Sequence, residues 1–387
     1  MAEKLRIPRE NPIEPLCDPF SIGIGRMLDE TPPDRRWLVD EFLPLGIVGV
    51  LAATGGTGKS FLTLQASISI AAGIPFMGMP VREPGGVLML CAEDDRDELH
   101  RRFRAVIEHM QQDFDLDEHQ LELLRERMFI ESRVGTDNRV TFEQDREIKP
   151  TLMVDRIASL VDELPTINMI VMDPISRFRG GDENDNAAAT RFIEQVERLR
   201  NLTGATILLP HHIAKNSFSA SEGLNQEAMR GASALADAGR WAAGMATLGA
   251  KEASKFDIDP DDAHQFVWLE SLKHSYGQRW PGQWLKRSHG GVLVPTELER
   301  AKDQDRKRKQ EDRYQTLLPI LTDLVRKHQE RGECITPNKV IQHAGSKGIF
   351  KTSDKIVRDI MNRAIEDGHI AEMKAPSGRG HVLRTWL

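Results

Sequence analysis

The stretch that most constrains this chain is a handover from strand to helix. Residues 47–52, "IVGVLA", are apolar on both faces. "TGGTGKS" (54–60) follows, and "FLTLQASISIAAG" (61–73) then resumes an apolar helical period that ends at a glycine. A short strand buried on both faces belongs at the centre of a parallel sheet with helices above and below. Gly55, Gly56 and Gly58 let the intervening backbone fold inward, while Lys59 adds a charge and Ser60 a hydroxyl. Converging N–H groups, a lysine and a hydroxyl at a helix start form a cradle for the phosphates of a nucleotide such as ATP. Thr57 and Phe61 complete the set expected around the nucleotide. Ala53 stands where the usual loop pattern has its first glycine, a departure that is tolerable if its φ is negative.

Strand and helix patterns alternate downstream. "GGVLMLCAED", "RMFIES", "INMIVMDP" and "ATILLPHH" read as strands; "DRDELHRRFRAVIEHM", "KPTLMVDRIASLVDEL" and "NAAATRFIEQVERLRNLTG" read as helices. The fold class this predicts is α/β with a mostly parallel sheet. Beyond His212 a polar loop leads into "EAMRGASALADAGRWAAGMATL", and short strands follow at "QFVWLESLKH" and "WLKRSHGGVLV". Residues 1–36, rich in proline and charge, read as an arm and 37–298 as the nucleotide-binding core. Residues 299–313 form a charged helical linker. Residues 314–387 suggest a small α+β domain of three helices and a terminal hairpin, with Pro319 a place where the first helix can break. That is the winged-helix pattern, with "TSDKIVRDIMNRAIEDGH" as the groove reader and "APSGRG" as the wing tip.

Charge is unevenly spread. The net charge is −7, but residues 301–387 hold 18 Lys and Arg against 12 Asp and Glu, a balance of +6 that leaves −13 for the rest. Bulk attraction of the whole chain to nucleic acid is thereby excluded, and any duplex contact is expected from the basic tail. The three cysteines, Cys17, Cys91 and Cys334, have neither zinc nor redox spacing, which makes a reducing cytoplasm the expected location. No signal core or membrane-length apolar run is present in the sequence.

A bound Mg2+ needs a carboxylate at a strand end beside the phosphates. "MIVMD" supplies Asp173, 114 residues after Lys59, a separation that fits one extra strand between theirs. Hydrolysis also needs a group that positions or deprotonates water. Glu93, closing "LCAE", is the first choice, while Asp94 and Asp95 suit capping and first-turn roles. "PHH" ends a strand on the same edge, and His212 is preferred over His211 as a γ-phosphate sensor.

Taken in order, "TGGTGKS", "GGVLMLCAEDD", "IVMDPISRF", "ILLPHHIAK", "RGASALADAGRW" and "SLKHSYG" resemble the RepA-type hexameric helicases of plasmids and mobile elements, RecA-like ATPases related to the DnaB class. The resemblance covers about residues 37–298. It implies a RecA-like core, a ring of identical subunits (a hexamer) with ATP between neighbours, and single-stranded DNA in the channel. The family's catalytic glutamate falls on Glu93, its metal aspartate on Asp173 and its strand-end sensor on His212. Its arginine finger, delivered to the neighbouring subunit, falls on Arg240. Lys273 matches a position near the subunit interface that also approaches the phosphates. By analogy the channel would be lined by residues 215–230, including Lys215 and Arg230.

The tail departs from that family, whose members end soon after the segment resembling "GGVLVPTELERAK". Lys351, Lys355, Arg358 and Arg363 are helix candidates for DNA contact and Arg379 the wing candidate; an initiator or primase protein is the alternative partner. Three functions share this site chemistry: a translocating helicase acting in replication of a plasmid, phage or integrated element, a DNA-bound regulator or loader, and a recombination-type filament ATPase.

Overall fold

The computed structural model describes residues 17–18, 23–113, 116–145, 147–181, 185–213, 218–219, 223–224, 239–277, 279–375 and 380–385. The chain divides into two compact units, residues 1–246 with 267–295 and residues 247–266 with 296–387.

The first unit is built on a nine-stranded sheet. Its strands in chain order are β1 (Val48–Ala53), β2 (Gly86–Cys91), β3 (Met128–Ser132), β4 (Ile167–Asp173), β5 (Thr206–His212), β6 (Trp241–Thr247), β7 (Phe266–His274), β8 (Gln283–Arg287) and β9 (Leu293–Thr296). Their spatial order is β9-β8-β7-β6-β1-β5-β4-β2-β3. The six strands from β6 to β3 are mutually parallel. This is an α/β architecture with a mostly parallel sheet, in which β5 lies between the loop strand β1 and the aspartate strand β4.

Alternation along each strand divides the apolar residues between two cores. Leu51 and Ala53, Met89 and Cys91, and Met169 and Val171 face one side, packed with α1 (Lys59–Ala72) through Leu62, Leu64, Ile68 and Ile70. Val48 and Val50, Leu88 and Leu90, and Ile170 and Met172 face the other. They meet Val154 and Ile157 of α4 (Met153–Asp162) and Phe192, Val196 and Leu199 of α5 (Asn186–Thr203). On the first side lie α2 (Arg96–Asp113), through Val106, Ile107 and Met110, and α3 (Glu118–Arg127), through Leu124.

β6 is the strand that sequence pattern does not announce. "WAAGMAT" is rich in small residues of low strand propensity, yet the run is buried beside β1. Trp241 explains the fit. Its ring fills the space that a Cβ on Gly49 would need, 2.8 Å from its Cε3, and its indole N–H donates to the Phe42 carbonyl.

The second unit contains α6 (Ala301–Glu330), α7 (Pro337–Ile341), α8 (Asp354–Glu366) and the hairpin β10 (Ala371–Lys374) with β11 (His381–Arg384). Residues 299–313, expected as a linker, include the start of α6. Nor does Pro319 break this helix. An interior proline costs about 3 kcal/mol, but Tyr314, Leu317, Leu321 and Val325 lie buried on either side of it along one face. Burying each such side chain contributes about 1.5–3 kcal/mol, so the buried stripe outweighs the lost hydrogen bond. Val340, Val357, Ile360, Met361 and Leu383 complete this core. No helix among the described residues is long and apolar enough to cross a membrane.

Glycine to alanine inside a strand ordinarily raises stability. Gly49→Ala is expected to lower it by about 1–3 kcal/mol, because Trp241 is buried and tied by its N–H; urea denaturation of the full chain reads the change.

Candidate nucleotide site

Strand register assembles the site before any side chain is considered. Ala53 pairs with His212 across β1 and β5, and Cys91 pairs with Asp173 across β2 and β4. Four parallel strands therefore end along one edge, and the loops leaving them converge there. Ala53 itself is the last residue of β1 and is not among the positive-φ residues, so alanine fits without strain. The left-handed positions fall on Gly56 (φ +75°) and Gly58 (φ +99°), where a side chain would be strained. Thr57 is fully buried and closes the loop from within, its hydroxyl donating to the Thr54 carbonyl at 2.9 Å. The helix starts at Lys59 with no side-chain cap, so its first N–H groups are left for an anion.

Lys59 is 5% exposed. Its ammonium lies 3.1 Å from Nδ1 of His212 and 3.4 Å from Nε2. An ammonium can only donate, so His212 is the acceptor in this contact. Nε2 of His212 lies 3.8 Å from Oε2 of Glu93, whose Oε1 has Nε of Arg177 at 3.9 Å. Burial pulls the Lys59 pKa down, against the carboxylates of Asp173 and Glu93. Asp173 is pushed up to about 6, chiefly by burial; a hydrogen bond from Ser60 and the charge of Lys59 oppose the shift, and Glu93 and Asp94 add to it. Asp94 is raised by burial against the pull of Arg102, with which it is paired.

Ser60 and Asp173 thus place two hard oxygen donors side by side, one on a carboxylate that has lost its water. That donor set suits Mg2+, which takes one or two protein oxygens and fills its octahedron with phosphate oxygens and water. No cluster of three or more His, Cys, Asp or Glu among the described residues offers an all-protein metal cage.

The structure brings together Gly55, Gly56, Thr57, Gly58, Lys59, Ser60, Glu93, Asp173 and His212. Phe61 lies in the first turn of the helix beside them, its ring against Gly291 and 5.6 Å from the Arg102 guanidinium. Arg240 and Lys273 are not brought there. β6 runs parallel to β1, with Trp241 opposite Gly49 and Met245 opposite Ala53. Arg240 precedes β6, so about 13 Å of strand separates it from the loop end of the sheet. The Ser275 N–H donates to the Arg240 carbonyl at 3.1 Å, which keeps the end of β7 bearing Lys273 at that far edge. Lys215, Arg230 and Arg379 lie outside the described residues, whereas Lys351, Lys355 and Arg358 are exposed in the second unit.

Two residues at the site carry no sequence signal. Arg177 faces Glu93 from the turn after β4. Arg287, at the end of β8, donates through Nη2 to the carbonyls of Gly56 and Thr57 at 3.2 and 3.1 Å. It grips the outer face of the loop, leaving the N–H groups to the inner face, and burial lowers its pKa. The neighbouring strand is fixed to α1 by Gln65, whose side-chain amide donates to the Leu293 carbonyl at 2.8 Å and accepts from its N–H at 3.0 Å.

A family model described as "AAA domain" matches residues 18–217. Among solved structures, one described as an "ATPase Domain" aligns with a TM-score of 0.45 at 10% identity, over 65% of this chain and 85% of that one.

The Asp173 shift has a sign that can be tested. A carboxyl whose pKa is raised from 3.8 to about 6 holds its proton more tightly when folded. The stability it contributes is full below about pH 4 and lost as the pH rises through about 6, amounting to about 3 kcal/mol. Asp173→Asn in the nucleotide-free protein is expected to flatten that part of the stability–pH curve, read by urea titration across the range.

Proposed function

Because the chain belongs to the AAA domain family, we propose that it is an ATP-hydrolysing ring helicase of the DnaB-like class, translocating on single-stranded DNA in replication of a plasmid, phage or integrated element. One observation carries the reading. The phosphate loop, Asp173, Glu93 and His212 gather at one edge of the sheet, while Arg240 and Lys273 stand at the other. Residues at the far edge cannot serve their own loop but can serve a neighbour's, and repeating that head-to-tail contact gives a ring where the rotation between subunits closes.

In this reading the loop N–H groups and Lys59 bind the β and γ phosphates, and Ser60 and Asp173 hold Mg2+. The ion supplies charge neutralisation at the phosphate oxygens. Glu93 orients a water and takes its proton as the water oxygen attacks the γ-phosphorus, and ADP departs with the bridging oxygen. His212 leaves Lys59 when the γ-phosphate arrives and turns toward Glu93, reporting the phosphate to the strand edge. Arg240 of the neighbouring subunit compensates the charge that builds up during transfer, so turnover depends on assembly. The second unit, read as winged-helix-like, contacts duplex DNA through Lys351, Lys355 and Arg358. A loader without unwinding activity would share this hydrolytic chemistry, and a forked substrate separates the two.

Lys59→Ala is expected to abolish ATP hydrolysis and, with it, unwinding of a tailed fork. Glu93→Gln should retain nucleotide binding while turnover falls by about 10²–10⁴-fold, as fluorescent-nucleotide binding and phosphate release will show. For Arg240→Ala the expected loss is about 10³-fold or more, partly restored in assemblies mixed with a Lys59→Ala chain that donates the arginine. An Arg240→Ala variant with normal turnover removes the ring reading. Hydrolysis without fork unwinding would favour the loader.

A further inference from the structure

We propose that the groove between α6 and α8 in the second unit is a docking site for the sugar–phosphate backbone of duplex DNA. The groove has a volume of about 600 Å³ and is lined by Arg306, Lys309 and Arg313 of α6 and by Lys355 and Arg363 of α8. The three α6 cations follow an i, i+3, i+7 spacing, which places them on one stripe of the helix. They span about 10 Å along its axis, a length over which one DNA strand presents about three phosphates.

Arg363 is already engaged, 2.7 Å from Glu311, 3.5 Å from Asp367 and stacked 4.0 Å above the Tyr314 ring. It forms the floor of the groove. Arg306, Lys309, Arg313 and Lys355 are exposed and have no carboxylate within ion-pair distance among the described residues. Of the two acids in the lining, Asp305 lies 3.4 Å from Arg308, and only Asp359 opposes the four cations. A row of uncompensated positive charge along a rigid helix is what a polyanion of regular spacing would neutralise.

The lining also selects the form of the nucleic acid. Single strands are held by stacking bases on exposed aromatic rings, and the one aromatic side chain here, Tyr314, is 3% exposed. The groove therefore offers backbone contacts and no stacking platform, which suits a double helix and predicts no sequence preference from α6. This inference rests on the reading of the chain as a DNA-acting ATPase, and its DNA-binding assay contains no nucleotide so that the two can fail separately.

The full-length chain carrying Arg306→Gln, Lys309→Gln and Arg313→Gln is compared with the unmodified protein for binding to a blunt duplex of about 30 base pairs, by anisotropy, between about 50 and 200 mM salt. The slope of log K against log salt is expected to fall by about 3, evenly across unrelated sequences, with at least a tenfold loss at low salt. Arg326→Gln with Lys327→Gln, which removes charges on the same helix that are already paired with Asp323, should leave the slope unchanged. Circular dichroism and DNA-free ATP hydrolysis should be the same for all three proteins. An unchanged slope in the triple variant overturns the proposal, as does a loss confined to single-stranded DNA or an unmodified chain that does not bind duplex. Normal duplex binding with no ATP hydrolysis would instead sink the motor reading and leave the groove standing.

Discussion

The whole first unit is organised around the cost of taking one ammonium out of water. Lys59 is almost fully buried, and an isolated buried charge is prohibitive. Asp173 and Glu93 oppose its loss of charge, and His212 accepts a hydrogen bond from it. None of these partners is near it in sequence. They meet because three parallel strands end in step, and a slip of one residue in any of them would turn its last side chain to the opposite face of the sheet. The register of the sheet and the electrostatics of the site are one constraint. Nucleotide binding would relax it, giving Lys59 phosphate oxygens in place of a histidine.

The two ends of the parallel strands carry different halves of the proposed chemistry. At the carboxyl ends lie the loop, the acids and the sensor. At the amino end of β6 lies Arg240, separated from them by the length of the sheet. Head-to-tail stacking of subunits is the arrangement that would make such a division productive. Trp241, next to that arginine, is wedged against Gly49 of the loop strand and bonded to Phe42. Its packing ties the far end of β6 to the loop strand.

Much of this was legible in the amino acids because the signals are local. A run such as "INMIVMD" places its terminal carboxylate at a strand end by itself, and "ILLPHH" does the same for His212. The loop was legible despite Ala53, since a residue closing a strand needs no left-handed backbone. β6 was not, because alanine and glycine give no strand signal and the reason for them is a tryptophan ring. Arg287 was not, because its partners are loop carbonyls some 230 positions earlier in the chain. Pro319 misleads locally, since the buried face that carries the helix past it is a tertiary fact.

The Gln65 amide has a consequence for which side chains that position tolerates. It mates with both backbone groups of Leu293, imitating the neighbouring strand that an edge lacks. Glutamate would keep the acceptor and lose the donor, leucine would orphan two buried polar groups, and asparagine is a methylene too short to span the gap. Position 65 is therefore closed to apolar exchange, and a glutamine buried in this helix, paired with both backbone groups of an edge strand, is a mark by which this joint could be sought in other chains.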